Sequence, residues 1–274
     1  MKQIKFLFYV LFSAGLLLTL TACQQKPEAA NVIKVGTIAG PDEQMLEVAK
    51  DVAKKQYGLD MQIISFSDYT LPNAALNDGS IDANIFQHQP YLDAAIKANN
   101  FQLVAIGKTF IFPMGIYSKK YKDIKTIPNN SIVAVPNDPS NESRALLLLS
   151  NAGLITLKPN AGINATPIDI ASNLKNLKIK ELDAAQLPRV LPDVAIAVIN
   201  NNYAIPAGLS PTQDAIYLEK VTEGDENPYI NIIVARTEDK DNETYKKVVD
   251  AYRTEEVSKV IEEVYKGAYL PTWK

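Results

Sequence analysis

Apolar positions along the first third of the chain switch repeatedly between two spacings. Residues 32–38 (VIKVGTI) form a short apolar run that reads as a strand. From Pro41 the spacing becomes helical, with Met45, Leu46, Ala49, Val52 and Ala53 on one stripe and Gly58 as its stop. Asp42 and Glu43 fall in the first turn, where the helix dipole favours acids. Residues 61–66 read as a second strand, 71–77 as a short helix, Asp78-Gly79 as a turn and 81–86 as a third strand. Pro90 then suits the entry of a helix over 91–99. Residues 103–118 are extended, but Pro113 cannot donate to a ladder and breaks that run into a bend or crossover. The strand–helix–strand rhythm predicts a parallel sheet with helices on its faces.

A second unit repeats the rhythm. Residues 131–136 are a strand, followed by the turn and capping cluster Asn137-Asp138-Pro139-Ser140-Asn141 and a helix over 145–151 closed by Gly153. Residues 179–182, 184–191 and 194–199 read as strand, helix and strand, and 229–236 as another extended run. One long helix is predicted over 243–266, with Val249, Tyr252, Val257, Val260, Ile261 and Val264 as a core-facing stripe. The halves echo each other. In each, a helix leads to a short apolar strand that ends in a polar cluster, the group around His88 in the first and Asn200-Asn201-Asn202 in the second. Two α/β lobes presenting such clusters to each other would line a cleft from both sides.

The amino terminus lies outside this scheme. Lys2 and Lys5 precede an apolar run over 6–20 that is short for a membrane span, and the run ends in Leu20-Thr21-Ala22-Cys23. That tetrapeptide resembles a bacterial lipobox, which implies a signal peptide over 1–22 and lipid on Cys23, the chain's single cysteine. Without that motif the same residues would be a simple leader or anchor helix. Residues 23–31 then form a polar tether. The remainder is ordinary globular material: 274 residues in all, 47% hydrophobic, 22% charged, with net charge −3. No basic face is visible, which argues against nucleic acid as a partner.

Several side chains are candidates for chemistry. The stretch 66–93 collects Phe66, Tyr69, Phe86 and Tyr91 with His88, the only histidine. These rings are either core filler or one wall of a ligand site at the end of a strand. Arg144 falls in the first turn of the helix entered at Asn141, where a cation is unfavourable unless an anion joins it. Its fork could take a carboxylate through two bonds; otherwise it is a surface arginine or pairs with Glu142. Asn200, Asn202 and Asn231 can each donate and accept, which matches a zwitterion, though asparagine also caps helices and fills turns. Tyr69, Phe86 and Tyr91 could pack on an apolar ligand side chain, with sulfur–ring contacts if it carries a thioether.

Catalysis finds little support. There is no G-x-S-x-G elbow, no G-x-G-x-x-G, no Walker loop and no H-E-x-x-H. One histidine and one cysteine leave no transition-metal cluster and few nucleophile–base pairs. Asp239-Lys240-Asp241 opens like a calcium loop but lacks the glycine and closing glutamate. No enzyme activity, metal or cofactor is expected.

Four segments in order, FSDYTLPNAALNDGSIDANIFQHQPYLD, VPNDPSNESRALLLL, AAQLPRVLPDVAIAVINNNYA and ENPYINIIVAR, resemble the methionine-binding lipoproteins of the NlpA type from residue 32 to the end. The resemblance implies an α/β fold of the two-lobed type II periplasmic-binding-protein kind with a two-strand hinge near 113–118 and 228–236. Lobe 1 would comprise 32–114 and 228–274, and lobe 2 would comprise 115–227. It implies further that Tyr69, Phe86, His88 and Tyr91 line one wall, that Asn231 sits beside the hinge and that Arg144 takes the α-carboxylate. Asn141, Asn200 and Asn202 would come from the second lobe. The implied partners are L-methionine, the permease and ATPase subunits of an ABC importer, and a membrane reached through the lipid anchor, with the protein facing the periplasm or exterior. Ala195 departs from the family pattern, where an acid often follows Asp-Val. Two other expectations fit the same residues: a receptor for a methionine-containing dipeptide or another apolar amino acid, and a surface lipoprotein that binds other proteins.

Overall fold

The structure, a computed structural model, describes residues 32–221, 227–266 and 269–272. The expected signal peptide, Cys23 and the expected tether lie outside the described residues.

The elements follow the two spacings read above. β1 (Val32–Ile38), α1 (Pro41–Tyr57), β2 (Asp60–Phe66), α2 (Pro72–Asn77), β3 (Ala83–His88), α3 (Gln89–Asn99) and β4 (Leu103–Lys108) come first. The chain then passes through β5 (Phe110–Ile111) to β6 (Gly115–Tyr117), with Pro113 between them. β7 (Ile132–Pro136), α4 (Pro139–Asn151), β8 (Thr156–Leu157), β9 (Ile170–Ser172), β10 (Lys178–Leu182), α5 (Leu187–Val190), β11 (Ile196–Ile199), α6 (Asn201–Ala204) and β12 (Ala215–Leu218) follow. The chain closes with β13 (Asn231–Arg236), α7 (Glu243–Tyr252), α8 (Glu255–Tyr265) and β14 (Leu270–Pro271), which pairs with β5.

These strands form two five-stranded sheets of matching design. The first runs β2-β1-β3-β13-β4 and the second β10-β7-β11-β6-β12. In each, three strands are parallel and the fourth is antiparallel to both its neighbours. β3 and β11 occupy equivalent central positions, so the internal echo in the sequence corresponds to the middle strand of each sheet. Both are buried along their whole length, as parallel strands covered on both faces are. The segments expected to form a hinge are themselves sheet members, β6 and β13. The chain passes from one sheet to the other just before each of them, between β4 and β6 and between β12 and β13.

Each sheet has its own core. Helices α1, α7 and α8 cover the first with Met45, Leu46, Val248, Val257 and Ile261. Helix α4 covers the second with Leu146 and Leu149 against Val133, Val135 and Val198.

Two predicted elements differ. The terminal helix is broken, because Arg253 leaves the helical region (φ −88°, ψ 48°) and Thr254 is extended as a fresh N-cap. Thr254-Glu255-Glu256 carries a second helix start, a capping residue followed by acids in the first turn. The helix expected from 145 begins at Pro139, since the Asp138 carboxylate accepts the Asn141 N–H at 2.9 Å and caps it there. Arg144 is therefore in the second turn rather than the first.

Candidate ligand-binding site

The carboxyl ends of β3 and β11 face each other across a narrow cavity of about 30 Å³. All nine residues singled out from the sequence, Tyr69, Phe86, His88, Tyr91, Asn141, Arg144, Asn200, Asn202 and Asn231, line it, together with Gln87, Phe112, Met114 and Asn201.

The first wall is built by β3 and an irregularity in it. Asn231 pairs with His88 and Ile232 with Gln87, but Ile233 pairs with Ile85, so Phe86 is an extra residue in the ladder. Such a bulge re-aims the side chains that follow it. Here it brings Gln87 to the face of Asn84, three residues earlier. Gln87 Nε2 donates to Asn84 Oδ1 (2.9 Å) and Asn73 Oδ1 (2.6 Å), while Asn73 Nδ2 donates to Gln87 Oε1 (2.8 Å). Asn84 Nδ2 completes the buried network with a bond to Asn73 Oδ1 (2.9 Å). Satisfied amides of this kind fix the strand end in one arrangement.

Above that network the rings interlock. Tyr69 lies 5.8 Å from Phe86 and 4.8 Å from Tyr203, and Phe86 meets Tyr91 edge to face at 5.7 Å. The Tyr91 hydroxyl donates to the Tyr69 carbonyl at 2.7 Å. His88 caps α3, its Nδ1 accepting the Tyr91 N–H at 3.3 Å, which leaves Nε2 as the protonated nitrogen toward Asn141 Oδ1 at 3.4 Å. Burial, reinforced by the nearby Arg144 charge, pushes His88 down to about 3, so the imidazole is neutral at neutral pH.

The opposite wall is the amino terminus of α4 and the residues after β11. Asn141 Nδ2 is held by both Asp138 oxygens at 3.0 Å, and its Oδ1 accepts Asn200 Nδ2 at 2.8 Å. Asn202 Nδ2 is engaged by Asp42 at the start of α1. Asn200 Oδ1 and both polar atoms of the Asn201 side chain are buried and lack any hydrogen-bond partner. Tyr203 and Tyr229, which pack on Tyr69 and His88, have unpaired hydroxyls. Of the unpaired buried side-chain atoms among the described residues, only those of Tyr117 and Glu142 belong to residues outside the cavity and this ring shell. Buried polar groups are ordinarily satisfied, so this concentration marks a place prepared for another molecule.

Arg144 sits where the chain crosses between the sheets. It is 4% exposed, and its partner is neither solvent nor Glu142 but Glu219. Nε donates to Glu219 Oε1 at 3.0 Å, and Nη2 donates to Oε2 at 2.6 Å and to the Phe112 carbonyl at 2.8 Å. Glu219 also accepts the Met114 N–H at 2.8 Å, and the guanidinium lies 4.4 Å over the Tyr229 ring. The Nε–Nη2 edge of the fork is thus occupied. With Glu219 balancing Arg144 and no carboxylate in the lining, the cavity is close to electrically neutral. A zwitterion suits it better than an ion.

Sequence reasoning missed Gln87, Phe112, Met114, Asn201 and the Glu219 partner. Asn201 and Gln87 stood inside polar clusters already recognised. Glu219 has no local signal, because its role depends on a contact 75 residues away in sequence.

The sequence profile described as NlpA lipoprotein matches residues 33–273. The "D-methionine-binding lipoprotein MetQ" of Salmonella typhimurium is 49% identical over 258 residues, covering 93% of this chain and 94% of that protein. A solved nutrient binding protein from Burkholderia cenocepacia bound to methionine is 53% identical, with a TM-score of 0.84 over 88% of this chain and 100% of that one. An ABC transporter periplasmic substrate-binding protein from Coxiella burnetii is 52% identical, with a TM-score of 0.82 over 87% and 99%. The two-sheet architecture is the two-lobed type II periplasmic-binding-protein fold. Profile, sequence and fold agree: the chain belongs to the NlpA lipoprotein family.

Proposed function

We propose that this protein is an extracytoplasmic receptor that captures methionine for an ABC importer and catalyses no reaction. The observation that carries this reading is the make-up of the cavity: interlocked rings beside Arg144 and the unpaired, buried amide atoms of Asn200 and Asn201. An apolar side chain would lie on Tyr69, Phe86 and Tyr91. The α-carboxylate would meet Arg144 Nη1 and Asn201 Nδ2, and the ammonium would meet the acceptors Asn200 Oδ1, Asn201 Oδ1 and Asn231. His88, neutral and locked by Asn141, would close the wall between them. Relatives with methionine in their names or bound in their structures support the ligand class.

The two sheets would act as lobes, 32–114 with 228–274 and 115–227, turning about the crossings. The lobe pair would present its ligand to permease and ATPase subunits, while lipid on Cys23 would hold it to a membrane on the periplasmic or outer face. The residues of the sequence favour the L enantiomer no more than the D enantiomer named in the curated relatives, so both belong in the test. Isothermal titration with L-methionine, D-methionine, leucine and a methionine-containing dipeptide, joined to mass spectrometry of the ligand that co-purifies, decides the matter. Micromolar or tighter binding of a free methionine, about −8 kcal/mol or better, is expected. Preference for the dipeptide, or absence of any heat and any thermal shift, overturns the reading.

A further inference from the structure

Asp42, the second residue of α1, is a carboxylate only 5% exposed. Gly40 at φ 116° and Pro41 turn the chain so that this side chain enters the interior instead of the helix surface. No cation pairs with it among the described residues. Its oxygens instead accept from two distant parts of the chain: Oδ1 from the Tyr265 hydroxyl at 3.0 Å, and Oδ2 from Asn202 Nδ2. The titratable groups close enough to sense it are Tyr69 from the first wall, Tyr203 from α6, and Tyr252 and Tyr265 from α7 and α8, all neutral at ordinary pH.

Burying an acid with only neutral donors is unfavourable, and the helix dipole offsets part of that at most. The position of the bond to Asn202 gives it a use. Tyr265 and Asp42 both belong to elements of the first sheet, whereas Asn202 lines the cavity from the second. The Asp42–Asn202 bond therefore exists only while the two walls are together.

Resting on the reading of the cavity as a ligand site, we infer that Asp42 is a latch: a positioning residue that touches no ligand atom, holds Asn202 against α1 and slows the release of bound ligand. Burial pushes its carboxyl up to about 7, against the two hydrogen bonds, which lower it. When the walls part and water returns, its pKa falls back toward 3.8. Closing therefore takes up a proton between about 4 and 7, so the closed form is favoured as pH falls through that window and loses this contribution as pH rises past 7. His88 works in the opposite sense, since its neutral form is the buried one. Comparison of Asp42 variants at each pH cancels that contribution.

The test is release of isotope-labelled methionine from the purified full chain into excess unlabelled methionine at pH 6 and pH 8. Asp42→Leu should release about tenfold faster at pH 6 with association little changed, the size of one lost hydrogen bond to a buried group. Asn202→Ala should match it, and the double variant should add little. Asp42→Asn keeps an acceptor for Asn202 but cannot titrate. It should release at the wild-type rate at pH 6, more slowly than wild type at pH 8, and with a flatter pH dependence. Wild-type release by a normally melting Asp42→Leu protein, or an unchanged pH dependence in Asp42→Asn, overturns the latch. If Asp42→Leu does not fold, Asp42→Asn and Asn202→Ala decide alone. A wild-type protein that retains no methionine overturns the receptor reading itself, a result distinct from variants that merely fail to differ.

Discussion

The two walls of the cavity are made from equivalent central strands and are finished in opposite ways. At the end of β3 every amide has a partner: Asn73, Asn84 and Gln87 satisfy one another, and His88 and Tyr91 are tied to neighbours. At the end of β11 the amides are buried with bonds left over. The first wall has its polar groups paired and presents rings, so in the proposed function it would recognise shape. The second is polar and incomplete, so it would recognise hydrogen-bonding groups. Preorganisation on one side and unmet bonding capacity on the other would then give selectivity for a molecule with both kinds of end.

The largest effect should come from Arg144, which ties the crossing between the sheets and, in the proposed function, would serve the polar end of the ligand. Arg144→Ala leaves the half-buried Glu219 without its cation, a loss of stability below the ~3–5 kcal/mol of a fully buried pair. Calorimetry should detect no methionine binding, and thermal melting should show loss of stability as well. Retained tight binding would remove Arg144 from the site.

Next comes the apolar wall, which can be probed without touching the protein. Alanine carries the same polar end as methionine but little side chain. Its affinity should be weaker by about 1.5–3 kcal/mol, the worth of a buried side chain. Equal affinities in a competition titration would mean that the rings do not contact the ligand.

The histidine gives a pH signature of intermediate size. With His88 held at about 3 in the fold and near 6.5 when unfolded, the unfolded chain binds the extra proton between those values. Stability from this residue is complete above 6.5 and falls below it by up to about 1.4 kcal/mol per pH unit. Asp42 and Glu142, raised to about 7, act in the opposite direction. The difference in melting temperature between wild type and His88→Gln at pH 7 and pH 5 isolates the histidine, and the two proteins should converge at the lower pH.

The smallest effect sharpens the contrast most. Asn201→Ala removes bonding capacity that only a ligand uses, so affinity should fall by about 0.5–1.5 kcal/mol while the melting temperature of the ligand-free protein holds or rises. A loss of ligand-free stability would mean that the amide is paired inside the protein.

Much of this was legible in the sequence because the signals are local. Alternating apolar spacings located both sheets and their covering helices, and the clusters around His88 and Asn200 follow directly from strand ends. What escaped is non-local or cooperative. Thr254-Glu255-Glu256 is a capping signal that the continuous apolar stripe from Val249 to Val264 overrode, because both helices pack on one core. β8, β9 and β12, two to four residues long, are too short to show a period. The Phe86 bulge is a mismatch between strands far apart in the chain and leaves no mark on β3 itself. Arg144 drew attention for its place in a helix, yet its setting is defined by Glu219 and Phe112, which only the crossing brings near.

The placement of β13 has a consequence for how the molecule is made. Every strand of the second sheet lies within one continuous stretch of chain, whereas the first sheet cannot be finished until β13 slots between β3 and β4. The Thr109–Asn231 bond beside that slot joins residues 122 apart. A chain emerging from its amino end therefore holds a complete second half while the first still has a gap at its middle. Assembly ends with the carboxyl-terminal segment filling that gap, so truncation after β12 would spoil the half that was synthesised first.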